Sequence, residues 1–120
     1  MTLYEAVFAA LAGGSPSARV YPEILPQRVI LPALTFTLIT GEDDFHLLGP
    51  SGLIVRYVQV DSWAGTRLSA DSQIEAARLA MLASLHFQVN AISVAGADPF
   101  ETDTERFRSS REFTLWLQQA

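Results

Sequence analysis

An α+β domain is what this sequence predicts: a mainly antiparallel sheet of about four strands with two helices packed on one face. Three observations carry that expectation. Two segments repeat apolar residues at helical spacing, "TLYEAVFAALAGG" near the start and "LSADSQIEAARLAMLASLHF" in the second half. Two others, "ALTFTLIT" and "FRSSREFTLWLQQ", alternate with a period of two, and "LIVRYVQVDSW" reads as a long strand whose apolar residues fall on both faces. Glycine, proline and acidic clusters punctuate the gaps. Two helices can roof one face of such a sheet and leave the other bare.

The first helix starts at a capping box, Thr2 and Glu5, in which each side chain satisfies a backbone N–H of the first turn. Leu3, Val7, Ala10 and Leu11 form its apolar stripe, and Gly13-Gly14 ends it. A short extended piece, "RVYP", follows. Pro22, Pro26 and Pro32 then keep "PEILPQRVILP" out of helix and out of any central strand. In the next strand Leu34, Phe36 and Leu38 point one way and Thr35 and Thr37 the other. Gly41 to Gly52 reads as a long turn region. The long strand comes next, then the second helix, with Ile74, Ala77, Met81 and Leu85 as its stripe and Ser69 or Ser72 as its cap. "NAISVAG" is a short strand, "ADPFETDTER" a second acidic loop, and the chain closes on a strand.

Residues 1–120 make one domain, since 120 residues suffice for one core and not for two. The composition is 49% hydrophobic and 18% charged, which suits a globular protein with some apolar surface covered by a partner. There is no cysteine, so disulfides, thiolate catalysis and cysteine-based zinc sites are excluded. A net charge of −5 opposes attraction to nucleic acid or an anionic membrane. No apolar run approaches the ~20 residues of a membrane span. The N-terminus lacks the basic start of a signal peptide, so a cytoplasmic chain is expected.

The search for chemistry yields no catalytic, cofactor-binding or metal-binding residue. The two histidines, His46 and His86, fall in an acidic loop and at a helix end. "GPSG" is a turn before a strand and not the G-x-S-x-G of a nucleophile elbow. Neither glycine-rich phosphate cradle is present. Carboxylates cluster in two loops, Glu42, Asp43 and Asp44 in one and Asp98, Glu101, Asp103 and Glu105 in the other, without EF-hand spacing. The expectation is a protein that is not an enzyme and has no cofactor.

The long strand is more informative. Ile54, Val58 and Val60 share one face, suited to packing under helices. Val55, Tyr57, Gln59, Asp61 and Trp63 share the other, and Trp116 joins them from the last strand. Aromatic rings among polar groups are the make-up of protein–protein contacts. Tyr57, Gln59, Trp63 and Trp116 are therefore candidate interface residues. Asp43, Asp44 and His46 in the first acidic loop, and Phe100 and Glu101 in the second, join them as candidate contacts on projecting loops. A loop folded over that face is the competing reading.

Taken in order, "RVYPEILPQ", "LPALTF", "GPSGL", "RYVQVDSWAGT" and "FETDTERFRSSREFTLWL" resemble the tail-completion, or tail-terminator, proteins of long-tailed bacteriophages and prophages. The likeness covers nearly the whole chain. At "REFTLWL" it departs from some relatives, with Glu112 where an aspartate is common. The resemblance implies an α+β domain that forms a ring of itself, typically a hexamer, on the head-proximal end of the tail tube. Its implied partners are further copies, the tail tube protein and the head connector or head-closure protein. It implies a place in the virion tail, with assembly in the host cytoplasm and no membrane. Six such bodies in a ring leave a hole of roughly 35 Å, wider than a DNA duplex. An acidic wall would let DNA pass without specific binding. A neck component bound to the connector, and a small ligand-binding domain, are the alternatives.

Overall fold

A twelve-rung ladder between two long antiparallel strands organises the chain. The computed structural model describes residues 3–14, 19–22, 31–39, 46–48, 53–94, 100–101 and 106–118. In it β4 (Leu53–Ala64) pairs with β7 (Arg106–Gln118), from Leu53↔Gln118 to Ala64↔Phe107, without a register shift. Twelve residues at about 3.3 Å each make a ladder about 40 Å long. The molecule is correspondingly elongated, 49 × 27 × 21 Å, with a radius of gyration of 14.5 Å.

Shorter strands flank this pair. β2 (Ala33–Ile39) runs antiparallel to β4, and β1 (Arg19–Pro22) runs parallel to β2 at one edge. β5 (Gln88–Val94) runs antiparallel to β7 at the other edge. The path across the sheet is β1-β2-β4-β7-β5. The fold is α+β as expected, with a mostly antiparallel sheet and one strand more on this path than about four. The parallel edge pair makes it mixed.

Two further strands lie in the stretches expected to be projecting loops. β3 (His46–Leu48) pairs with β4, and β6 (Phe100–Glu101) pairs with β7. The Gly41–Gly52 region therefore contains a strand: β2 leaves the edge of β4 after Ile39↔Tyr57, and the chain returns to it at His46↔Val55. The backbone groups of β4 beyond β2 need partners, and β3 supplies them.

Both helices pack on one face, again as expected. α1 spans Leu3–Gly14 and buries Ala6, Val7 and Leu11, while Thr2 of the expected capping box lies outside the described residues. Tyr4 and Phe8 remain partly exposed, but their rings lean on Phe36 of β2, at centroid distances of 5.2 and 6.5 Å. α2 spans Arg67–Leu82 and buries Ala70, Ile74, Ala77 and Met81. These meet Leu34, Phe36, Val58, Val60, Phe113 and Leu115 from the sheet in one core.

α2 begins and ends earlier than the sequence suggests. Its cap is Thr66, whose hydroxyl accepts the backbone N–H of Ser69 at 3.1 Å; Ser69 and Ser72 lie inside the helix. The helix stops at Leu82, so Leu85 is off the stripe and 97% exposed. On the outer surface Arg78 bonds Glu75, which holds that carboxyl below its ordinary range.

The first turns of α2 are tied to the ladder by a polar clamp. Ser62 and Ser109 are register partners, both buried beneath the helix. The Ser62 hydroxyl donates to the Ala70 carbonyl at 2.9 Å. Gln73 Nε2 donates to the Ser62 hydroxyl and to the Ala33 carbonyl, each at 2.7 Å. The Ser109 hydroxyl donates to Asp71, and Arg67 donates to the Ser109 hydroxyl and the Arg108 carbonyl. Serine is small enough to let the helix approach the sheet and polar enough to fix it there. Gln73, off the stripe by sequence, is buried because it spans this contact.

Met81→Asp places an unpaired charge in the core, so cooperative unfolding in urea should be lost. Leu85→Ser should leave the midpoint unchanged. A folded Met81→Asp chain would mean that the stripe faces elsewhere.

Candidate functional site

The ladder register assembles the face away from the helices into rows. The first row is Arg19, Ala33, Trp63 and Arg108, and the second Tyr21, Thr35, Asp61 and Ser110. The third is Thr37, Gln59, Glu112 and Ser93, and the fourth Ile39, Tyr57, Thr114 and Ala91. The fifth joins His46, Val55, Trp116 and Gln88. The parity read from the sequence therefore holds: Tyr57, Gln59, Trp63 and Trp116 share this face.

Its two ends differ. At the Trp63 end the chain closes over its own sheet. Trp63 is only 9% exposed, and Ala33, Thr35, Asp61 and Ser110 are buried with it. The Trp63 indole N–H donates to the Thr35 hydroxyl at 3.0 Å. The guanidinium groups of Arg106 and Arg108 lie 5.2 and 5.6 Å from the Trp63 ring. Both distances are within reach of cation–π attraction. Asp61 accepts from Gln59 Nε2 at 3.0 Å and from the Ser110 hydroxyl. The Trp63 indole and Thr35 hydroxyl thus satisfy each other, as do Gln59, Asp61 and Ser110, while the buried Nε of Arg108 has no hydrogen-bond partner among the described residues.

This corrects one expectation. Trp63 is on the predicted face but is packed within the subunit, held by a hydrogen bond and two cations. The other end remains partly open. Tyr57 and Trp116 are half-buried diagonal neighbours beside half-buried Ile39 and Thr114, and Gln88, Ala91 and Ser93 are exposed. Along β4, Val55 and Trp63 are separated by about 26 Å at 3.3 Å per residue.

The remaining candidates divide between these ends. Asp43 and Asp44 lie outside the described residues. His46 is in β3 opposite Val55, at the Tyr57–Trp116 end. Phe100 and Glu101 are in β6 opposite Phe107 and Arg106, at the Trp63 end. The seven described candidates therefore form no single patch. Neither the Thr35 hydroxyl that accepts from Trp63 nor the Ser110 hydroxyl that donates to Asp61 was singled out by sequence. Alternation puts Thr35, Arg108 and Ser110 each on the polar face of its own strand, but only cross-strand register brings those faces together beside Trp63.

Among the described residues, no group of three or more His, Asp or Glu side chains could hold a metal ion, and no helix is long and apolar enough to cross a membrane. A cleft of about 290 Å³ lies between the C-terminal ends of the helices, lined by Ala9, Ala10, Gly13, Ala80, Ala83 and Ser84. It presents one hydroxyl and otherwise small apolar groups, with no titratable side chain to direct chemistry.

No protein-family model matches the chain, and no curated protein matches it in sequence. A solved structure does share its fold: a chain in the virion of a native gene transfer agent (GTA) particle, with a TM-score of 0.60 and 12% identity. The match covers 98% of this chain and 95% of that one. At this identity the likeness is one of fold.

Trp63→Phe removes the bond to Thr35 and keeps most of the ring. It should cost about 1–2 kcal/mol of stability in urea titration. Trp63→Ala should cost about 3–5 kcal/mol. If Trp63→Ala leaves the midpoint unchanged, the closed end of the face is not part of the fold.

Proposed function

We propose that this chain is a structural protein of a phage-like particle and acts by binding alone, without catalysis. In this reading it caps the head-proximal end of the tail tube as a ring of its own copies, a hexamer. The ring stops tube growth and offers the joining surface for the head connector. The observation that carries the reading is the fold likeness to a chain of a gene transfer agent virion, which runs nearly the full length of both chains. The order of the sequence segments adds to it.

The geometry suits capping. One surface of a ring must match the last tube ring, and the other must present nothing a tube subunit can bind. An elongated subunit with one helix-covered face and one mixed face offers unlike surfaces for these tasks. Head-to-tail contacts between copies need unlike surfaces as well. The half-open Tyr57–Trp116 end is the aromatic-and-polar patch suited to one of these contacts.

Electron microscopy of particles made without the protein tests the role. Tubes of uncontrolled length support capping. Tubes of normal length that only lack heads favour a neck component instead, and normal particles refute both. Tyr57→Ala combined with Trp116→Ala should lower stability by no more than about 3 kcal/mol, because both rings are half-exposed. It should nonetheless abolish head-joined particles. Asp43→Asn with Asp44→Asn should leave the urea midpoint within about 0.5 kcal/mol of the parent.

A further inference from the structure

The two edges of the sheet are unlike, and they match each other. Among the described residues β5 closes one edge, with Gln88, Asn90, Ala91 and Ser93 exposed, and its seven residues include no charge and no proline. Natural edge strands are usually blunted by such residues, because an open row of N–H and C=O groups invites another strand. The bulge at Asn90, between Val89 and Ala91, twists the edge without charging it. β1 closes the other edge with four residues and carries exposed Arg19.

Strand directions relate these edges. β1 runs with β2, β2 against β4, β4 against β7, and β7 against β5. β5 therefore runs opposite to β1. A second copy in the same orientation brings its β1 antiparallel alongside β5, with the helices of both copies on one side. Half-buried Val20 of β1 then comes beside half-buried Val89 and Ile92 on the helix side. With that copy slid along the strands by the four residues that separate the Arg108 and Glu112 rows, Arg19 on the other side meets the Ala91–Ser93 stretch. Ser93 is the register partner of Glu112, which makes no ion pair among the described residues. The small side chains of Ala91 and Ser93 leave that carboxylate reachable by a neighbour's guanidinium.

We infer that β5 pairs antiparallel with β1 of a second copy, with Arg19 of one copy set against Glu112 of the other. The sheet then continues from subunit to subunit. A β5-to-β5 pairing would bring no cation to Glu112 and would leave the β1 edge open. The inference rests on the ring reading above and specifies its subunit contact.

The chain has no cysteine, so introduced ones report contacts cleanly. Under oxidation at high protein concentration, a chain with Tyr21→Cys and Ala91→Cys should give a ladder of disulfide-linked multimers. Ala91→Cys alone should give none; dimers from it would show β5 pairing with itself and overturn the inference. Separately, Arg19→Glu or Glu112→Arg should each abolish self-association in sedimentation, at unchanged melting temperature. The double exchange Arg19→Glu with Glu112→Arg should restore it. A parent chain that stays monomeric, or charge reversals that leave association intact, would overturn the inference. Multimers linked edge to edge that leave tail length unaltered would instead refute the capping role and keep the pairing.

Discussion

The β4–β7 ladder is the constraint on which everything else depends. Its register is unbroken over twelve pairs, and every other strand takes its position from it. A slip of β4 by one residue against β7 would turn Val58 and Val60 out of the core and Tyr57, Asp61 and Trp63 into it. The cost of burying those polar groups without their present partners makes such a slip prohibitive. The ladder also places Ser62 beside Ser109, and so decides where the first turn of α2 can sit.

Two kinds of packing divide the sheet's faces. Beneath the helices the core is aliphatic and phenylalanine-rich, with polar groups confined to the clamp at the start of α2. On the other face one end is a hydrogen-bonded polar cluster around a tryptophan, and the other is half-open aromatic surface. The Trp63 end of this face is thus completed by the chain's own side chains, whereas Tyr57 and Trp116 at the other end are only half-covered.

Much of this architecture is legible in the chain, for identifiable reasons. Period-two alternation in β2, β4 and β7 gives the faces, because side-chain direction follows residue parity alone. Helical spacing gives α1 and most of α2. The rest depends on relations between distant segments. Thr66 caps α2 although two later serines look equally able, because the sheet fixes Ser62 and Ser109 under the helix start. Leu85 fits the stripe by spacing, yet the helix has already ended. β3 and β6 are too short to show alternation, and only the bare edges of β4 and β7 call for them. The parallel placing of β1 and the burial of Trp63 follow from which strands become neighbours. That information is spread across residues 19 to 110.

The interruption between β2 and β3 has a consequence for how such a molecule can diversify. The chain leaves the flank of β4 after Ile39 and rejoins it at His46, so both ends of that interval are fixed to one continuous strand. The entropic penalty of closing a longer span rises only with the logarithm of its length. Additions there would leave rungs, core and clamp in place. Inheritance can thus rewrite that stretch freely while the scaffold that carries it stays the same.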